Sequence, residues 1–354
     1  MHRYFTRRKP SIARELRSLL GSRRGDFGRV NAWGPDLGAR LVDFSLRGKM
    51  VRGGLLLLGH EMYSDGKTAS RPVLRAAAAI EIIHSSLLIH DDIMDNDRLR
   101  RGGRTIYVQY EQAGRRARAA DPAAFGRSMG ICAGDVGYFL AWEILSGLAM
   151  DARRKASLLA LVSRELSYVG LAQMQDVAFS AFPRVPSRED VLALYMYKTA
   201  RYTFALPLMA GALIAGASDG ERRKLCDLGE RLGVVFQLRD DELGVFGSEA
   251  ETGKPVGSDI REGKKTLLYL ELIRGTRGAE RRRLEELFGK PDLSASESRR
   301  VREAIERAGA RGTLEKLMEG LAGEARRIIG SLAVSKEHAR VLMEICEQSL
   351  DRKR

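Results

Sequence analysis

Apolar residues recur along this chain at spacings of three and four, and alternating runs are scarce, so the pattern predicts helices almost throughout. Ile12, Leu16 and Leu19 mark a short amphipathic helix, and a second begins at residues 41–44. The run Gly48-Lys49-Met50-Val51-Arg52-Gly53-Gly54 interrupts it, and an apolar helix at 55–62 follows. Ser70-Arg71-Pro72 signals a helix start, with Pro where no backbone N–H is needed. That helix is expected to run to Gly102-Gly103, and the polar, Arg-rich stretch 111–124 reads as a loop. Long helices follow at 125–150, rich in Gly and Ala, and at 152–181, where Phe182-Pro183 breaks the pattern. Pro186-Ser187 opens a helix to about Gly216 that Pro207 should kink. Residues 220–246 form the next, a Lys-rich loop spans 252–266, and 267–354 reads as charged, peripheral amphipathic helix.

Within this helical background one stretch changes character abruptly. HSSLLIHDDIMDNDRLRRGGR, residues 84–104, leaves an apolar run and places Asp91, Asp92, Asp95 and Asp97 in quick succession. On a helix Asp91 and Asp95 share a face, where like charges repel, so stability alone does not account for them. An isolated cluster of this kind is most often a solvated helix end. Here a second cluster, Gln237-Leu238-Arg239-Asp240-Asp241, also follows an apolar segment and precedes cations. Mg²⁺ takes hard oxygen ligands and is shared between one or two carboxylates and substrate phosphates, which suits both clusters. Arg100 and Arg101 offer planar forks for phosphate oxygens.

Composition narrows the choice of ligand without fixing it. The 354 residues carry 60 Lys+Arg against 46 Asp+Glu, a net charge of +14 that favours anionic partners. That charge is spread along the chain and no nucleic-acid motif stands out, so no nucleic-acid partner is expected. Contact of the basic surface with a membrane stays open. Cys132, Cys226 and Cys346 are far apart, with no CxxC, and read as core residues of a reducing, cytoplasmic compartment. No apolar run is expected to be long enough to span a membrane. Residues 1–14 hold several Arg and no acid, and 1–11 read as a flexible basic tip.

From Gly48 to Thr266 and onward the chain resembles the trans-isoprenyl diphosphate synthases, polyprenyl synthetases of the farnesyl/geranylgeranyl diphosphate synthase kind. The most specific segments are DDIMDNDRLRRG and FQLRDDELGVFG with TGKPVGSDIREGKKT. The resemblance implies an all-α, isoprenoid synthase-type bundle of long, mostly antiparallel helices around a deep central cavity, one domain over 1–354, and a homodimer. It implies Mg²⁺, three ions with substrate bound, held by Asp91, Asp92, Asp95, Asp240 and Asp241. Arg100, Lys198, Thr199, Gln237, Lys254 and Lys264 would take the allylic diphosphate. Gly48, Lys49, Arg52, His84 and Arg101 would take isopentenyl diphosphate. Gln173 and Asp176 match the family's Gln-x-x-Asp and, with Lys198 and the first Asp cluster, form the expected catalytic set.

The implied reaction is head-to-tail condensation through an allylic cation, which needs a dry apolar wall and no Ser or Cys nucleophile. A class I terpene cyclase shares the ionisation chemistry but needs no isopentenyl site. A non-catalytic partner subunit of a synthase should lack the acidic motifs. Three positions depart from the family: Gly244 where a third carboxylate is common, Gly53 where Pro is usual, and Arg104 in another Pro position. Product length turns on the residues upstream of Asp91. Ser86 lies five residues earlier, where farnesyl-producing members carry an aromatic ring, and roughly 7–8 Å deeper along the helix. Its small side chain, with Leu87 narrowing the passage and Ile83 and Ile82 below, predicts geranylgeranyl diphosphate or longer rather than farnesyl diphosphate.

Overall fold

The computed structural model describes residues 3–64, 70–247 and 257–351, which are helical apart from short connections and one small hairpin. These residues form two compact units.

The first unit comprises residues up to Leu161 together with Ala210–Ala217. Its elements are α1 (Arg3–Ser22), α2 (Arg24–Val30), α3 (Trp33–Leu46), α4 (Val51–Glu61), α5 (Arg71–Met94), a hairpin of β1 (Leu99–Arg100) and β2 (Gly103–Arg104), α6 (Ile106–Arg116), α7 (Pro122–Ser146) and the start of α8 (Ala152–Ala181). The hairpin pairs Leu99 with Arg104 and Arg100 with Gly103, and Arg101 and Gly102 turn it with φ of 53° and 72°.

α5 is the unit's axis, with Ala76, Ala77, Ala78, Ala79 and Ile80 fully buried. α7 lies close to it because its glycines leave no side chain in the way. A Cβ at Gly130 would come 2.8 Å from Ile93, and one at Gly134 or Gly137 would overlap His90 or Ser86. By length and composition α5 could cross a membrane, contrary to expectation, yet 67% of its most apolar window is buried in the fold. A core helix passes the same test.

The second unit holds Val162–Met209 and the residues from Ser218 onward. After α8 come α9 (Arg188–Leu194), a π-helical segment (Tyr195–Ala205), α10 (Leu206–Ala215), which belongs to the first unit from Ala210 on, α11 (Asp219–Phe246), α12 (Ser258–Arg261), α13 (Leu267–Gly275), α14 (Gly278–Glu285), α15 (Ala295–Arg307), α16 (Ala310–Ser331) and α17 (Lys336–Leu350). Ser187 and Asp190 form a reciprocal capping box that starts α9. α11 packs on the π-helical segment at backbone distance, since a Cβ at Gly229 or Gly233 would overlap Ala205 or Ala200.

Several expectations need correction. Residues 3–11 are not a flexible tip: they extend α1, with Phe5 buried, the Tyr4 hydroxyl donating to Glu61 at 2.8 Å, and Arg8 paired to the same carboxylate. The central helix ends at Met94, because Gly102-Gly103 belongs to the hairpin. Residues 106–116 are helical, their polarity explained by Glu111, which pairs with Arg98 and Arg115. The segment after 267 is not peripheral: Leu267, Leu272, Val301, Ile305, Leu314 and Met318 are buried, and α16 packs on α11.

Candidate active site

The last turn of α5 carries the first acidic cluster. Asp91 is half-buried, Asp92 is fully buried, and Asp95 is exposed at the helix C-terminus. The hairpin folds Arg100 back onto them. Its guanidinium donates to Asp92 and, at 2.9 Å, to Asp97, and lies 3.8 Å from Asp91. One oxygen of Asp92, Oδ2, is buried with no hydrogen-bond partner. Burial outweighs the Arg100 charge, and with Asp91 and Asp97 nearby the Asp92 carboxyl is pushed up to about 7. A buried carboxylate with an unsatisfied oxygen and a raised pKa fits a site completed by a cation.

A second group in this unit gathers Gly48, Arg52, His84 and Arg101. Arg101 donates to the Phe44 carbonyl at 3.1 Å and lies over the Phe44 ring, its carbon 5.5 Å from the centroid. Gly48 permits that approach, for a Cβ there would come 2.9 Å from the Arg101 Nη1. Burial, then the charges of Arg52, Arg101 and Arg100, hold His84 well below the usual histidine range, so the imidazole is neutral. Lys49 is exposed beside this group.

Glu81, which the sequence reading missed, is buried one turn before His84 and accepts the Gly53 N–H at 2.7 Å. Burial raises its pKa against the opposing pull of Gly53, Arg52 and Arg101. The Gly53 departure thereby has a physical basis, since Pro has no N–H and could not donate to Glu81. Arg104, the other departure here, is exposed and donates to Gln112 at 2.5 Å.

Deeper on α5, Ser86 is fully buried and donates to the Ile82 carbonyl at 3.1 Å, with Gly137 of α7 against its hydroxyl. Ile82 and Ile83 are buried and Leu87 is half-buried.

In the second unit one hydrogen-bond chain links Thr199, Gln237 and Asp241. Thr199 donates to Gln237 at 2.8 Å, and Gln237 donates to Asp241 at 2.8 Å. Tyr195, also unforeseen as a site residue, donates to the other Asp241 oxygen and accepts the Leu267 N–H at 3.1 Å. Burial, then the neighbouring charge of Asp259, pushes Asp241 up to about 8 despite the bonds from Tyr195 and Gln237. Asp240 is half-buried beside it. Lys198 is paired with Asp176, and Gln173 is half-buried one turn before that residue.

The π-helical turn, with more residues per turn than an α-helix, widens the spread of side chains across 195–205, and such turns recur at functional sites. Lys264 pairs with Glu262 at 2.8 Å and stands 3.9 Å from Asp259. Lys254 lies outside the described residues.

Among the described residues no three His, Cys, Asp or Glu side chains converge into a ready-made metal cage. Mg²⁺ keeps several waters and borrows substrate phosphate oxygens, so it does not need a closed cage of three protein ligands.

The polyprenyl synthetase family profile matches residues 40–307. A short chain isoprenyl diphosphate synthase of Methanocaldococcus jannaschii is 35% identical over 259 residues, covering 73% of this chain and 72% of that one. A geranylgeranyl diphosphate synthase of Sulfolobus acidocaldarius is 33% identical over 72% of each. The solved geranylgeranyl pyrophosphate synthase of Corynebacterium glutamicum, complexed with isoprenyl diphosphate and magnesium, is 31% identical, with a TM-score of 0.91 over 97% of this chain and 98% of that one. Curated relatives of similar identity differ in the product they are named for, from farnesyl to geranylfarnesyl diphosphate. The chain is a prenyltransferase with an all-α isoprenoid synthase fold, and it belongs to the polyprenyl synthetase family.

Proposed function

We propose that this enzyme adds isopentenyl diphosphate to an allylic diphosphate and releases geranylgeranyl diphosphate or a longer chain. Asp91, Asp92 and Asp95 in the first unit and Asp240 and Asp241 in the second are the Mg²⁺ ligands, three ions binding with substrate. When bound, Mg²⁺ neutralises the diphosphate and makes it a competent leaving group. Arg100, Lys198, Thr199, Gln237, Lys254 and Lys264 hold that group in place. The allylic C–O bond breaks with its electron pair going to diphosphate. Gly48, Lys49, Arg52, His84 and Arg101 orient isopentenyl diphosphate so that its π electrons form the new C–C bond. The proton then lost goes to the released diphosphate. Asp176, with Lys198 paired to it, and Gln173 face the developing positive charge with oxygen atoms.

The observation that carries the product length is Ser86, a hydroxymethyl group where an aromatic ring would stop the tail. Incubation with Mg²⁺, isopentenyl diphosphate and each allylic primer, followed by dephosphorylation and mass-detected chromatography, should give geranylgeraniol or a longer alcohol. Farnesol as the sole product would overturn the length assignment. Cyclic hydrocarbons would indicate a terpene cyclase, and no turnover a non-catalytic subunit. Ser86→Phe should shorten the product, and because Gly137 abuts Ser86 the ring should also lower the melting temperature. An unchanged product would refute the floor.

The homodimer reading comes from the family resemblance, and α7 is its proposed contact surface. Its glycine face is taken up by α5 and α6, while Ile131 and Phe139 stand 49% and 71% exposed on the other side. Sedimentation velocity at micromolar concentration should show twice the chain mass, and a monomer would overturn this reading.

A further inference from the structure

The hairpin sends its two neighbouring arginines in different directions. Arg100 turns to the first acidic cluster, where Asp92 and Asp97 accept from it. Arg101 turns to the end of α3 and donates to the Phe44 carbonyl at 3.1 Å. It does so from a left-handed backbone, with φ of 53°. A non-glycine residue keeps that conformation only where its surroundings hold it. Met50, between Lys49 and Arg52, shares it with φ of 55°.

The hairpin tip is held by a reciprocal contact. The Arg101 guanidinium fills the space at Gly48, where a Cβ would come 2.9 Å from Nη1 and 3.0 Å from Cζ. The Arg47 guanidinium, from the residue before, fills the space at Gly103, where a Cβ would overlap Nη1 and come 2.8 Å from Cζ. Each arginine therefore lies against a glycine of the other segment. Asp43, one turn back on α3, accepts from Arg47 Nη2 and is the only hydrogen-bond partner of that guanidinium among the described residues. Two cations on adjoining segments repel unless each is held. Asp43 holds Arg47, and the carbonyl and ring of Phe44 hold Arg101.

We infer that Arg47 is a positioning residue for isopentenyl diphosphate: it clasps the hairpin at Gly103 and so fixes where Arg101 presents its guanidinium. The role of Arg101 is the proposed one, and the inference rests on that reading. The clasp matters less for Arg100, because Asp92 and Asp97 anchor it independently. Loosening the clasp should therefore weaken one substrate and spare the other.

The test is steady-state kinetics of the full-length protein with Mg²⁺, isopentenyl diphosphate and farnesyl diphosphate, each substrate varied in turn. Arg47→Ala should raise KM for isopentenyl diphosphate about tenfold, the loss expected when one charge-assisted contact is made imperfectly. KM for farnesyl diphosphate should stay unchanged and kcat should stay within about threefold. Gly103→Ala should give the same selective rise, because its methyl group displaces only the far end of the flexible Arg47 side chain. Combining the two should add nothing further, since both remove one contact. An unchanged KM for isopentenyl diphosphate in Arg47→Ala would overturn the inference. So would equal rises for both substrates with a lowered melting temperature, which mark a general structural role. Additive effects in the double variant would overturn it as well, because Gly103 would then act by some route other than making room for Arg47. Arg101→Ala serves as the control. If it leaves KM for isopentenyl diphosphate unchanged, the underlying reading of that site fails instead.

Discussion

Asp92→Asn should lower kcat by at least about 10³-fold while leaving a folded protein. A metal that stabilises developing charge contributes several kcal/mol to the transition state, and about 4 kcal/mol corresponds to about 10³ in rate. Asn keeps the size of the side chain but offers a neutral amide where a hard anionic oxygen is required. Folding should survive because Arg100 retains Asp97 at 2.9 Å and Asp91 at 3.8 Å.

The pH dependence gives this prediction a second readout. The Asp92 carboxyl sits near 7 in the folded chain, raised from the ordinary carboxylate value of 3.8. The folded state therefore favours the protonated acid. Its stabilising contribution is fully present below the unfolded pKa and is lost as pH rises through the folded pKa. Metal-free Asp92→Asn carries no such loss, so its stability relative to wild type should increase between about pH 4 and pH 7 and then level off. Single-turnover kinetics at saturating Mg²⁺ and metal-free melts across pH would test both halves. Activity within tenfold of wild type would remove Asp92 from the metal site.

Arg201→Ala should cost about 3 kcal/mol of stability, the largest folding effect expected from a single polar substitution here. Arg201 leaves the π-helical segment and grips Glu165 with two bonds, of 2.9 and 2.7 Å, while a third nitrogen pairs with Glu230. The same guanidinium lies 5.7 and 6.0 Å from the centroids of Tyr168 and Tyr197. Glu165 is only 1% exposed, so removing Arg201 strands a buried carboxylate. Arg164 still approaches it at 3.4 Å, which places the expectation at the lower end of the usual range of about 3–5 kcal/mol. Urea titration should show the loss, and adding Glu165→Gln should recover part of it by removing the stranded charge. Arg201→Lys should not recover it, because an ammonium cannot make the two-pronged contact. An unchanged urea midpoint for Arg201→Ala would show the network to be solvated.

Much of this site could be read from residue type and spacing. The end of α8 at Ala181 and the start of α5 after Ser70 were legible because Pro and cap residues act locally. The acidic clusters were legible because like charges at helical spacing have no structural excuse. What stayed hidden were contacts made by residues that look ordinary in sequence. Glu81 sits inside an apolar helix, and only the fold brings the Gly53 N–H to it. Tyr195 reads as one aromatic among several until its hydroxyl meets Asp241. The hairpin reads as a helix end in sequence because its glycines sit where a terminator would. Residues 3–11 look like a loose tip in sequence because they carry several Arg and no acid, although Phe5 beside Gly54 and the Tyr4 and Arg8 bonds to Glu61 fasten them.

The π-helical segment has a consequence for how this gene can vary. An α-helix advances by about 100° per residue, so losing or gaining one residue rotates everything beyond it by that angle. Across Tyr195–Ala205 the winding is already looser, and Tyr195, Lys198, Thr199 and Arg201 reach their separate partners only at that pitch. Trimming a single codon would let the segment relax to ordinary α winding and swing these four side chains out of register with one another. Deleting any residue between Leu194 and Leu206 should therefore cost more activity than a conservative substitution at Met196.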